Sequence, residues 1–443
     1  MRKTLSKQLS LVPHSINHPR SRELARISAL LDMLPETASW VAKDLGKGTQ
    51  GSKAGRIGMS GEQVLRAALL KQMHRWSYDD LAFHLEDSPT FRTFCRIGLM
   101  DRAPKRAALA ENIKRMRPET LEQVNRAIVK KAQVGGIENG QQVRIDSTVV
   151  DSNIHHPLDS SLLYDVVRVL TRLLRRGAEY SRNVRFSNHN RRAKRRMLDI
   201  HRARNMSQRQ PLYRELVQIA QWTMQYASQA ISVLQDVVDK GAWAIADQLN
   251  HYLTLANKVV DQTERRVLRQ EAVPPMEKIV SIFEPHTDII VKDRRETLYG
   301  HKIFLNVGKS GMIVDMLLER GNPADAARAT TMLERHRELM GKVPEKVAFD
   351  AGFSSAANVQ IASELGIKGA SFAQKGVIDV FKFIGSPQKH KKLQRFRAGV
   401  EGIISFAKRC FGLGRCLWHG YRSFRAYTWM SVLGANLLLI ARA

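Results

Sequence analysis

The sequence predicts an α/β protein: a mixed sheet flanked by helices, with an N-terminal helical domain before it and a large all-helical insertion after its first strand. Three observations predict this. Residues 141–150 are rich in β-branched side chains and alternate, which reads as a strand. From Ser160 to about Gln270 the pattern is almost wholly helical. Strand patterns then return at 278–283, 297–307, 312–318, 346–353 and 368–372, with helical stretches between them. The chain thus divides into an N-terminal helical region over 1–135, a core assembled from 140–157 and 278–443, and a basic helical insertion over 158–277.

Length and charge bound what such a protein can do. With 443 residues the chain can bury two or three domain cores. Its formal net charge of +29 far exceeds what solubility requires and opposes compaction by self-repulsion. That excess points to a polyanionic partner, nucleic acid before an anionic membrane surface. No run of 18 apolar residues offers a spanning helix, and the polar first residues lack the apolar core of a signal peptide. Cys95, Cys410 and Cys416 are too few for a disulfide framework and lack zinc-ligand spacing, which fits a reducing cytosol.

In chain order, residues 1–25 read as a loose basic arm, 26–40 as a helix, and 43–60, rich in Gly, Lys and Ser, as a linker. Ser60 and Ser77 are placed as N-caps of two helices, the second with Asp80 in a capping-box variant. A basic segment over 105–116 precedes a long helix over 118–132. Several short helices with basic faces suit a helix-turn-helix-like DNA reader; a helical bundle with a solvated basic face fits the same pattern.

The strand at 141–150 carries Asp146 on one face with Arg144 and Thr148. An acid inside a strand is unfavourable by propensity and by desolvation, so Asp146 is a functional candidate, set against a strand-edge acid facing solvent. Asp151 lies at an odd offset and is expected to face the other way or to lie past the strand end. His155 and His156, adjacent and without a metal-spaced partner, read as positioning residues. In the insertion, thirteen Arg and Lys between Arg172 and Arg209 are opposed only by Glu179 and Asp199. The densest run is Arg191, Arg192, Lys194, Arg195 and Arg196. It reads as a track for a phosphate backbone, against the alternative of a solvated face. Trp222 and Trp243 read as core.

Gly308-Lys309-Ser310-Gly311 reads as a hairpin turn. A phosphate loop would need glycine where Ile303 stands, which excludes nucleotide binding there. A helix opens at Pro323-Ala324-Asp325. Asp350 closes a short buried strand before a glycine turn, with Ser354 or Ser355 capping the next helix. The carboxyl end of a strand before a βα turn is where α/β sheets place their chemistry, so Asp350 is the second candidate, against a plain helix-capping acid. After a basic loop at 389–392, a helix over 392–408 sets Arg397, Glu401 and Lys408 on one stripe beside an apolar side of Val400, Ile403, Ile404 and Ala407. A solvated i,i+4 ion pair is the alternative for Arg397 and Glu401. Residues 427–441 form an apolar helix too short to span a membrane and suited to closing the core.

Asp146, Asp350 and Glu401 on three elements can converge at one end of the sheet. Their oxygens suit Mg²⁺ or Mn²⁺. Two such ions roughly 3.5–4 Å apart would activate water or a 3′-hydroxyl and stabilise the leaving oxygen of a phosphodiester attack. Asp146 would bridge both ions, and Arg397 and Lys408 would hold the phosphates of the scissile strand.

These residues resemble bacterial insertion-sequence transposases of the DDE class, ISNCY-type members above all. The resemblance rests on Asn153-Ile154-His155-His156-Pro157-Leu158-Asp159-Ser160-Ser161-Leu162-Leu163 after the first aspartate, on Gly300-His301-Lys302, on Asp350-Ala351-Gly352-Phe353, and on the Arg397, Glu401, Lys408 spacing. The region from Gly58 to about Phe94 is similar to the helical domain that precedes the core in these enzymes. The resemblance implies an RNase H-like core and binding of terminal inverted repeats. It also implies 3′-strand nicking and strand transfer into target DNA by a dimer or higher assembly in the cytoplasm, on the nucleoid, with Lys302 among the DNA contacts. Gln394 departs from the pattern: related families carry tyrosine three positions before the arginine. A domesticated DNA-binding protein without cleavage, or a structure-directed nuclease without strand transfer, are the rival readings.

Overall fold

The computed structural model describes residues 18–46, 58–98, 100–292, 296–372 and 386–443. Most of the expected arm over 1–25 and linker over 43–60 lies outside them. The arm is shorter than its composition implies, because Pro19 opens a helix that His18 caps. Among the described residues seven N-terminal helices follow one another: α1 (Pro19–Asp32), α2 (Pro35–Gly46), α3 (Gly61–His74), α4 (Tyr78–Asp87), α5 (Pro89–Phe94), α6 (Arg106–Arg115) and α7 (Pro118–Val134). The single helix expected over 26–40 is two helices, broken before Pro35, and α5 was not legible in the pattern. Ser60 and Ser77 both close full capping boxes, with Gln63 and Asp80. Arg66, almost wholly buried, ties these helices together through Glu62, Asp32 and the Phe94 carbonyl.

Among the described residues the sheet has seven strands: β1 (Gln142–Ser152), β2 (Asp288–Lys292), β3 (Glu296–Gly308), β4 (Ile313–Glu319), β5 (Lys346–Phe349), β6 (Gly369–Phe372) and β7 (Arg415–Cys416). β1 is central. β3 runs antiparallel along one whole edge of it, from Val143–Gly308 to Asp151–Gly300. β5 pairs parallel on the other edge and β6 extends it. β2 and β4 both pair antiparallel with β3. Along the path β4-β3-β1-β5-β6 only β3 runs against the rest, which is the expected RNase H-like mixed sheet.

Pleating sends alternate residues into two cores. Val143, Ile145, Phe304, Phe349 and Phe372 face α12 (Ala329–Met340) and α13 (Ala356–Glu364). Val150, Ile303, Leu305 and Val307 face α7 and the C-terminal helix, Tyr421–Arg442. That second core runs on without a break into α1–α6, so the apolar interior does not stop at residue 135. The C-terminal helix is 22 residues long, longer than expected. Its length and composition would allow it to cross a membrane, but 78% of its apolar window is buried in the protein. Asn436 docks it by pairing with the β4 edge like a neighbouring strand: its amide accepts from Ile313 N (2.9 Å) and donates to Ile313 O (2.8 Å).

The insertion is helical as expected: α8 (Asp159–Ala178), α9 (Asn190–Arg202), α10 (Met206–Gln235) and α11 (Lys240–Thr263) enclose a core of their own. Trp222 packs against that core, but Trp243 is 45% exposed, against expectation. Residues 278–283 are not a strand. Ile279 and Ile282 instead bury themselves in the insertion's core, and the Gln262 amide accepts from Ile279 N (2.8 Å) and donates to Ile279 O (3.1 Å), replacing a strand ladder. The helix expected from Pro323 begins as a 3-10 turn, Asp325–Arg328. The expected basic loop at 389–392 lies within a 25-residue helix, Pro387–Phe411, capped by Ser386.

Candidate active site

The sheet has a notch where the acids meet. β5 stops at Phe349, opposite Ile145, and β7 joins β1 only at Asp151. Between them the edge of β1 has no neighbouring strand among the described residues. Asp146 and Asp350 are the next residues on two parallel strands paired at Ile145 and Phe349, so their carboxylates project side by side from the same face. A cleft of about 600 Å³ opens there, lined by Asp146, Asp151, Asp325, Asp350, Lys302 and Lys408 among others. Asp151 therefore shares the cleft with Asp146 despite its odd offset. Parity fixes the face of a strand; at an open edge both faces border the same space.

The Pro387–Phe411 helix crosses this notch with Val400 and Ala407 buried beneath it. Arg144 fixes the crossing. Its guanidinium donates to the Phe396 carbonyl (2.8 Å), lies over the Phe396 ring, and meets the helix where residue 399 is glycine; a Cβ there would fall 2.3 Å from Arg144 Nη1. Gln394, the position that departs from the expected pattern, bonds the buried Ser371 on β6 and so tethers the same helix to the sheet.

Arg397 then reaches all three predicted acids. Its Nη1 lies 3.3 Å from Asp146 Oδ2 and 3.1 Å from Asp350 Oδ1, and its Nη2 lies 3.5 Å from Glu401 Oε1. The guanidinium is largely buried, whereas Glu401 is 72% exposed at the rim. Arg397, predicted to hold phosphate, is thus engaged by carboxylates. Burial first, and the neighbouring Asp350 charge second, push the Asp146 carboxyl up to about 6, against the Ser147 amide and Arg397, which favour its anion. Burial also raises Asp151, moderated by Arg415 and Lys408. Lys302 forms an ion pair with Asp325 (2.5 Å) and donates to the Pro323 carbonyl (3.0 Å), while the same aspartate accepts from Ser147 Oγ (3.1 Å). It stands at the cleft wall with its charge balanced.

A hard divalent cation fits this donor set. Asp146 and Asp350 already share one cationic nitrogen, and the cleft beside them is open. Among the described residues no three His, Cys, Asp or Glu side chains converge tightly enough to hold a metal as they stand.

The remaining predicted contacts lie elsewhere. Arg191, Arg192, Lys194, Arg195 and Arg196 all sit on α9. Glu215 of α10 neutralises Arg192 (2.8 Å) and Arg196, and Arg192 also covers the Trp222 ring. Arg191, Lys194 and Arg195 are exposed. The segment after β1 is a junction: His155 bonds Asp165 (2.8 Å), Asp159 pairs with Arg266 (2.9 Å) and Ser160 bonds His201 (3.0 Å), fastening β1 to the insertion. His301 is fully buried in a chain from Glu284 through His286 and His301 to Asp288, with links of 2.7, 2.8 and 2.7 Å, which pins the β2–β3 hairpin.

Sequence reasoning missed Asp325 as the partner of Lys302, and Arg144 and Gln394 as the anchors of the helix. Arg144 had a sequence signal, a cation on the Asp146 face of a strand. The other two had none, since their partners lie far along the chain.

Comparison with known families adds two matches. A family described as Transposase domain (DUF772) matches residues 14–115. A family described as Transposase DDE domain matches residues 259–437, which include Asp350 and Glu401 and leave Asp146 outside, beyond the helical insertion. No curated protein and no solved structure matches the chain.

Proposed function

The chain is an insertion-sequence DDE transposase, and from that premise we propose that Asp146, Asp350 and Glu401 are its catalytic carboxylates. The reading is that they cleave DNA at the terminal inverted repeats and transfer the freed 3′ ends to target DNA. The observation that carries it is the single guanidinium within 3.1–3.5 Å of all three acids, drawn from β1, the end of β5 and the Pro387–Phe411 helix. Enzymes of this family use divalent metal ions. Two Mg²⁺ or Mn²⁺ ions held by these carboxylates would activate water or a 3′-hydroxyl and neutralise charge on the leaving oxygen.

The chain's own residues do the rest. Asp146 and Asp350, fixed by strand register, present two anions to one point. Lys408 at the cleft wall favours a phosphate in the cleft. Arg191, Lys194 and Arg195 on α9 offer exposed charge to a DNA backbone. The insertion, 158–277, is read as the module that carries this contact, and residues 1–135 as the module that reads the repeats. Both ends of an element must be held together for transposition, which calls for a dimer or higher assembly on DNA.

The test uses the protein and its Glu401→Gln variant with DNA carrying the sequences that flank its own gene, with and without Mg²⁺ or Mn²⁺. Metal-dependent nicks at a repeat boundary, absent in the variant, are expected. Tight binding to intact repeats without cleavage by either protein would overturn the reading.

A further inference from the structure

We propose that Arg397 is a built-in counter-cation that occupies the carboxylate site of the free protein and competes with the divalent metal for it. The inference rests on the reading of Asp146, Asp350 and Glu401 as the metal-holding acids.

The charge count at the notch drives the argument. Three carboxylates, drawn from two strand ends and one helix, converge on one guanidinium. Without Arg397 three negative charges would face one another in a partly desolvated notch, an arrangement that repulsion disfavours. Nη1 touches both Asp146 and Asp350, the two acids that strand register forces together, so it stands where a shared cation would stand. Nη2 holds Glu401 away from them, at the rim. A metal can therefore gather all three acids only when the guanidinium withdraws. Arg144 and Gly399 fix the helix backbone, so the withdrawal is a side-chain movement of Arg397 and leaves the helix in place. A phosphodiester entering the cleft offers the departing guanidinium another anion, for which a planar fork of donors is well suited. The same residue then serves the empty site as a counter-charge and the loaded site as a phosphate contact.

The test is Mn²⁺ binding to the DNA-free full-length protein, followed by calorimetry and by the loss of free Mn²⁺ signal in electron paramagnetic resonance. Arg397→Gln keeps the side chain's polarity and most of its volume. It is expected to bind Mn²⁺ about tenfold more tightly than wild type, with Arg397→Lys between them. Thermal melts in chelator check folding: the Gln variant should melt lower than wild type without metal and recover with Mn²⁺. Asp146→Asn separates the two levels of the reading. If it abolishes Mn²⁺ binding while Arg397→Gln binds no more tightly than wild type, the competition is overturned and the site stands. If Mn²⁺ binding is undetectable in all, or indifferent to Asp146, the site reading fails and the competition with it.

Discussion

Two arginine–carboxylate knots in this molecule look alike in composition and differ in charge balance. Beside α7, Arg335 grips Asp315 with two bonds (2.6 and 2.8 Å) and Glu122 with a third (2.8 Å), and Arg126 adds a second cation to Glu122 (3.1 Å). Two cations meet two acids, and Asp315 is completely buried. At the notch one cation meets three acids, at longer distances and with the Glu401 carboxylate largely in water. The first knot is neutral and closes a core. The second, among the described residues, sets one guanidinium against three carboxylates beside an open cleft. Charge balance separates the two knots, and burial alone would not have told them apart.

The comparison can be broken at either knot. The largest effect is on chemistry: Asp146→Asn, Asp350→Asn or Glu401→Gln should reduce metal-dependent strand nicking to background while repeat binding, followed by gel shift, stays near wild type. Full cleavage by any of them would remove that residue from the site. Next comes stability at the balanced knot. Arg335→Ala leaves Asp315 buried and unpaired, and should cost about 3–5 kcal/mol in urea unfolding with no metal dependence.

At the notch the sign reverses. A native carboxyl pushed up to about 6 holds its proton more tightly than the same group in the unfolded chain, near 3.8. Its contribution to stability is complete below the unfolded value and is lost as pH rises through about 6. Asp146→Asn should therefore stabilise the chelated protein by about 3 kcal/mol at pH 8 and not at all below pH 4, read from urea midpoints across pH. A loss of stability at pH 8 would show that Arg397 balances this acid after all.

The smallest effects lie on α9. Arg191→Gln, Lys194→Gln and Arg195→Gln together should weaken binding to every DNA sequence alike. Each lost phosphate contact should flatten the salt dependence by about one unit of log–log slope. Arg192→Gln should do less, since Glu215 already holds that charge. An unchanged slope in the triple variant would make α9 a solvated face.

The sequence by itself determined what depends on near neighbours. The capping boxes at Ser60 and Ser77 formed because their partners are three residues away. Asp146 and Asp350 could be placed on strands, and Glu401 on a helix stripe with Arg397, because periodicity fixes the face each residue occupies. Only the tertiary structure decided where a side chain's partner comes from over long range. It turned 278–283 from an apparent strand into part of the insertion's core, because Gln262 replaced a strand neighbour. It brought Asp151 into the cleft, because no strand among the described residues covers β1 between Asp146 and Asp151. It assigned Gln394 to Ser371 and Lys302 to Asp325. Above all it gave Arg397 to three carboxylates at once: a helical period can place a guanidinium one turn from Glu401, but only the packing of that helix over the paired ends of β1 and β5 sets it between the other two.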